Sequence, residues 1–138
     1  MTVTFVDAGV LIAAARGITD VSAQAMAILD DPNRTFASSE FIRLEVLPKA
    51  LFNRKPMEAE FYSSFFQAVS HWPDNTDAVV RHAHDVAVRF GLAALDALHV
   101  AAALSVGAEE LITTEKHGKP LHRTTGILVR SIQAELPR

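Results

Sequence analysis

An α/β domain with a mainly parallel sheet is the fold class that this sequence predicts, on three observations. Short runs of β-branched and aromatic residues alternate with longer segments of helical periodicity. One helical segment, Ala93 to Val106, is apolar almost all round, which marks a helix buried on most sides. Asp7 and Glu115 sit at or just after the ends of two strand candidates, where open α/β sheets have their functional crevice.

Thr2 to Val6 (TVTFV) reads as the first strand, with Asp7 at its C-terminal end and a helical start from Leu11 to Ala15. Thr19 and Asp20 supply capping oxygens for a helix from Val21 to about Asp30, and Pro32 lies beyond its end. Thr35 to Ala37 is a second strand candidate. Ser38 or Ser39 caps a third helical segment, in which Phe41, Leu44, Leu47 and Leu51 follow the spacing of a buried stripe and Pro48 is expected to bend the chain. Pro56 opens a helix to about Ser70 with Phe61, Phe65 and Val69 in line, and Val69 to Trp72 has room for a short strand. Thr76 to Phe90 carries Val79, Val80, Ala83, Val86, Ala87 and Phe90 on an amphipathic helix, with Gly91 where a left-handed cap belongs. Glu110 to Thr113 and Gly126 to Val129 are the last strand candidates, joined by a polar stretch.

At 138 residues the chain fits a single domain spanning 1–138. Hydrophobic residues make up 49 % and charged residues 21 %, too apolar for disorder. With no Cys, disulfides and thiolate metal sites are excluded, and a cytoplasmic location is expected. Val3 to Ala15 has no basic residue ahead of it and carries Asp7 at its middle, unlike a signal peptide. No run approaches a membrane span. The net charge of −3 exerts no global pull on nucleic acid, so any polyanion has to be held locally. Basic residues cluster twice, at Arg43, Lys49, Arg54 and Lys55 and at Lys116, His117, Lys119, His122 and Arg123; solvated faces account for both equally well.

Four acids carry the chemistry: Asp7, Glu45, Asp96 and Glu115 each fall at or beside an apolar run. An unpaired carboxylate there is costly to bury, so a cluster of them calls for a hard cation such as Mg²⁺ or Mn²⁺. Taken singly, Asp7 and Asp96 also suit helix caps, Glu45 suits a surface pair with Lys49, and Glu115 suits an exposed loop. His82 and His84 point to different helix faces and make no zinc pair. His99, three residues after Asp96, is within reach of it or of a substrate, although a His so placed is more often a hydrogen-bonded core residue. No nucleophile elbow, P-loop or dinucleotide fingerprint occurs.

Three segments together resemble the PIN-domain nucleases, in particular the VapC-type toxins: FVDAGVLIAA, SSEFIRLEV with its Ser-x-x-x-x-x-Glu spacing, and LAALDALHVAAALSVGAEELITTE. The resemblance implies a three-layer α/β/α domain with about five parallel strands and a Mg²⁺- or Mn²⁺-dependent endoribonuclease. It assigns Asp7, Glu45, Asp96 and Glu115 as catalytic and metal-binding acids, Thr114 as a supporting hydroxyl, and Arg43, Lys49 and Lys116 as contacts to the RNA backbone. A small antitoxin protein and a homodimer are the partners it implies, with Phe61, Tyr62, Phe65 and Phe66 as candidate contact residues. Two positions depart from the family pattern: Gly9 stands where a polar residue is usual, and Glu115 where Asp is. They keep open a non-catalytic PIN-like module that binds RNA or protein.

Overall fold

The computed structural model describes residues 1–133. Four parallel strands, β1 (Thr2–Val6), β2 (Arg34–Ala37), β3 (Glu110–Thr113) and β4 (Leu128–Ser131), form a sheet in the order β2-β1-β3-β4. The helices are α1 (Ala8–Arg16), α2 (Asp20–Leu29), α3 (Glu40–Phe52), α4 (Pro56–Ala68), α5 (Thr76–Phe90) and α6 (Ala94–Ser105). Thr4, Phe5, Val6 and all of β3 are buried although successive side chains point to opposite faces, so helices cover both sides in a three-layer α/β/α arrangement. Among the described residues no single helix is long and apolar enough to cross a membrane.

The expected fifth strand is reduced to one bridge, between Ala37 and His71. Pro73 follows almost at once and cannot donate to a ladder, so the pairing has nowhere to extend. The last strand lies later than predicted, at Leu128–Ser131, because Gly126 adopts a positive φ of 89° and belongs to the turn. Gly91 takes the expected left-handed cap of α5, with φ 68°. Val79, Ala83 and Val86 are the buried stripe of that helix, while Val80 is half-exposed.

Helix α3 is rotated from the phase that its leucines predict. Ser39 caps it by accepting from the Ile42 amide, and the chain stays helical through Pro48 to Phe52. Ile42, Val46 and Ala50 face the core, whereas Leu44 is 70 % and Leu51 61 % exposed. Pro48 lies on the exposed side, where water can satisfy the carbonyl that loses its helical partner. In α4 the buried residues are Ala59, Tyr62 and Phe66, with Phe61 and Phe65 partly buried against the core. Tyr62 and Phe66 are therefore packing residues and not partner contacts.

At the N-terminal end of the sheet, Glu110 joins all four strands. It accepts from Thr4 Oγ1 at 2.6 Å on β1, Arg34 Nε at 2.9 Å on β2 and Arg130 at 3.1 Å on β4, and Arg34 also pairs with Asp31 at 2.5 Å. Burial opposes its charge, but the Thr4 and Arg34 hydrogen bonds and the Arg34 charge outweigh that and hold its carboxyl below the ordinary value. Glu110→Ala leaves the largely buried Arg34 without this carboxylate and is expected to cost about 3 kcal/mol in urea denaturation at pH 7. Because the folded pKa is depressed, the wild-type advantage is present above the unfolded value and is lost as pH falls through the folded one.

Candidate active site

The two central strands, β1 and β3, end side by side, with Val6 registered on Ile112 and the Asp7 amide donating to the Ile112 carbonyl at 3.0 Å. The chain leaves β1 to pair on one side with β2 and on the other with β3, so this is the switch point of the sheet, where crevices form. Asp7 has an extended backbone there and caps α1, its Oδ1 accepting from the Val10 amide at 3.2 Å. Its Oδ2 accepts the hydroxyl proton of Thr113, which in turn accepts the Glu115 amide at 3.0 Å. One buried threonine thus fixes the first acid and the turn that presents the fourth.

Asp96 sits in the first turn of α6, where the helix dipole favours its charge, and makes no capping hydrogen bond. Glu45 projects from the middle of α3, and His99 from α6 meets it, Nε2 to Oε1 at 2.5 Å. This replaces the surface pair with Lys49 that the spacing allows. His99 is 4 % exposed and packs near Phe5. With Nε2–H donating to Glu45, its buried Nδ1 is left without a hydrogen-bond partner.

Asp7, Glu45, Asp96, His99, Thr114 and Glu115 line one cavity of about 120 Å³, together with Ala8, Gly9 and Leu95. The acids feel one another. Burial pushes Asp7 up to about 6, against the Thr113 and Val10 hydrogen bonds and the His99 charge, and Asp96 adds to the rise. Burial likewise raises Asp96; His99 opposes, while Glu115 and Glu45 raise it further. The pocket is short of positive charge.

An all-carboxylate donor set with a hydroxyl beside it suits a hard divalent cation and not a thiophilic one. Among the described residues, no three acidic or histidine side chains already stand as a ready-made ligand group. Both Asp7 oxygens are engaged, and Glu45 is tied to His99 through one of its two. The donors fit such an ion by chemistry and by shared cavity, with side-chain adjustment needed to close around it.

The expected RNA contacts do not line this cavity. Arg43 pairs with Glu40 at 3.0 Å and lies over Trp72 and Phe66, 4.9 and 5.3 Å from their centroids. Lys49 and Lys116 are exposed. In the second basic cluster, His122 donates to the Glu115 carbonyl at 2.8 Å and Arg123 to the Phe90 carbonyl at 3.3 Å. Two residues that hold the acids in place go unassigned in the sequence: Thr113, hidden beside an equally suitable Thr114, and His99 as the partner of Glu45. The only signal for the second was its position one helical turn after Asp96.

A family model described as PIN domain matches residues 4–124. Among solved structures, the chain is similar to VapBC2 from Rickettsia felis bound to a DNA fragment from their promoter, with TM-score 0.70, 13 % identity, and coverage of 94 % of this chain and 98 % of that one. VapBC-1 from nontypeable Haemophilus influenzae gives TM-score 0.66 at 14 % identity over 95 % and 98 % of the two chains. DNA-bound VapBC from Salmonella typhimurium gives 0.66 at 16 % over 96 % and 100 %. Identities this low show a common fold. No curated protein matches the chain.

Proposed function

The chain belongs to the PIN-domain family, and from that membership we propose that it is a divalent-metal-dependent endoribonuclease acting as the toxin of a toxin–antitoxin pair. The observation that carries the reading is the meeting of four carboxylates from four separate elements in one cavity at the carboxyl ends of the central strands. Asp7, Glu45, Asp96 and Glu115 are the residues that would hold Mg²⁺ or Mn²⁺. When bound, the cation supplies a Lewis acid that acidifies water and offsets charge building on the phosphate.

The rest falls to the protein's own side chains. Thr113 orients Asp7, His99 orients Glu45, and the Asp96 charge is steadied by the N-terminus of α6. Ala8 and Leu95 add apolar atoms to the lining of the cavity. Exposed Lys49 and Lys116 attract the RNA backbone from outside the cavity, and Arg43 does so only from its stacked position on Trp72.

An antitoxin partner is supported by neighbours that are VapBC assemblies. The surface that suits it is the apolar row Leu44, Leu47, Pro48 and Leu51 on α3, continued in sequence by Phe52 and Met57, which are 86 % and 85 % exposed. A homodimer and a cytoplasmic location complete the proposal.

The direct test is cleavage of RNA by purified protein with Mg²⁺ or Mn²⁺. Asp96→Asn is expected to lower the rate by roughly 100-fold or more, with no carboxylate-dependent Mn²⁺ uptake left in calorimetry. The hydrogen bonds of Asp7 are also those of a purely structural cap, which favours one other reading, a binding module that does not cut. Unchanged cleavage in Asp96→Asn, or wild-type protein that takes up no Mn²⁺, would overturn the nuclease assignment and leave that module.

A further inference from the structure

Gly9 lies inside α1 with ordinary helical geometry, so its backbone does not call for glycine, and glycine weakens a helix relative to alanine. What excludes a side chain is Thr114. A Cβ on residue 9 would stand 2.2 Å from Thr114 Oγ1, 3.3 Å from Thr114 Cβ and 3.4 Å from Asp7 Oδ1. The space beside Asp7 that α1 leaves open is taken by a hydroxyl from the end of β3.

That hydroxyl is uncommitted. Thr113 uses its own oxygen both to donate to Asp7 and to accept from the Glu115 amide. Thr114, partly exposed and lining the same cavity, makes no hydrogen bond among the described residues. The remaining polar lining is four carboxylates, which accept, and His99, whose Nε2–H is given to Glu45. Thr114 therefore carries the one uncommitted side-chain donor among the cavity's described lining residues. A phosphodiester entering a ring of carboxylates needs a donor as well as a cation, because its non-bridging oxygens have only acceptors to face otherwise.

We propose that Gly9 and Thr114 act as a pair: the missing side chain at residue 9 seats the Thr114 hydroxyl, which donates a hydrogen bond to the phosphate oxygen of the bound nucleic acid. This rests on the nuclease reading and deepens it. Thr114 is in these terms a substrate-contacting residue, distinct from Thr113, which positions an acid.

The test uses the full chain, an RNA oligonucleotide and Mn²⁺, with thermal melting and Mn²⁺ calorimetry alongside cleavage rates. Thr114→Val keeps the shape and removes the donor; it is expected to lose about 10–100-fold in kcat/KM while its melting temperature and Mn²⁺ affinity stay at the wild-type values. Thr114→Ser is expected to keep most of the activity. Gly9→Ala pushes the hydroxyl aside and should reproduce the Thr114→Val loss, and the double variant should lose no more than Thr114→Val alone, since one interaction cannot be removed twice. Wild-type cleavage by Thr114→Val, a matching fall in its Mn²⁺ affinity, or losses that multiply in the double variant would overturn the pairing. Should Gly9→Ala fail to fold, the Val and Ser variants at residue 114 still decide. Asp7→Asn separates the two levels: if it cleaves normally the nuclease reading fails, whereas if it is silent and Thr114→Val is fully active only the pairing fails.

Discussion

Asp7→Asn is expected to melt at a higher temperature than the wild type in the absence of divalent cations, and to cleave no RNA. Burial raises the Asp7 carboxyl from 3.8 to about 6, so above that pH the folded protein carries a charge it holds less well than the unfolded chain does. A shift of this size corresponds to about 3 kcal/mol of stability forgone at neutral pH and above. The sign follows from proton binding. The folded state binds the proton more tightly, so the cost is complete above about 6, shrinks as pH falls between about 6 and 3.8, and vanishes below that window. Asparagine keeps the oxygen that accepts from Val10 and removes the charge. Denaturation in chelator at a series of pH values should show the two proteins diverging as pH rises. A variant less stable than wild type at pH 7.5 would refute the electrostatic account.

The gap between the two proteins narrows once a cation is supplied. Ligand binding to the folded state alone adds about 2.7 kcal/mol at 100 times Kd, enough to cancel most of what ionised Asp7 costs. Mn²⁺ is therefore expected to raise the melting temperature of the wild type and leave Asp7→Asn unmoved. Because the carboxyl must be ionised to act as a ligand, Mn²⁺ affinity should fall below about pH 6 as protons compete. On the proposed reading, a site that destabilises its own fold until a cation arrives would be the thermodynamic counterpart of the charge deficit in the pocket.

Much of this arrangement is legible in the chain because its elements are punctuated sharply. TVTFV ends at an acid, Gly91 stops α5, and Asp96 interrupts a helix made mostly of Ala, Leu and Val. Strand ends and helix starts are local signals, and in a parallel sheet they map onto one edge of the fold. Helical phase is a different matter. In α3 apolar residues occur on more than one side, so the leucine stripe and the Ile42, Val46, Ala50 stripe are equally periodic, and the sequence does not choose between them. The structure chooses the one that turns Glu45 toward His99 on α6, leaving the leucines exposed. The choice between Thr113 and Thr114 had the same character: two identical side chains on opposite faces of a strand end, separated only by which side Asp7 approaches from. The fifth strand failed for want of length, since a single bridge at His71 offers no periodicity to read.

His99→Leu is expected to bind Mn²⁺ about 10–100-fold more weakly than the wild type while folding nearly as well. Leucine has a volume close to that of the imidazole, and it removes Nδ1, a buried polar nitrogen with no partner that contributes nothing to stability. What it takes away is the donor that fixes Glu45. The ring contacts Oε1 alone, so the carboxylate keeps a second oxygen for a cation, and the hydrogen bond settles which way that oxygen is presented. Without it, Glu45 on the partly exposed side of α3 is free to turn to solvent, and closing the ligand shell then carries the entropy of ordering a long side chain. His99→Gln retains a donor and should recover part of the affinity. The opposite sign has a clear meaning as well: tighter Mn²⁺ binding by His99→Leu would show that the ring competes with the cation for Glu45, so that binding begins by breaking the His99 contact. Calorimetry on the two variants, with urea denaturation to confirm equal folding, distinguishes a residue that prepares the site from one that occupies it.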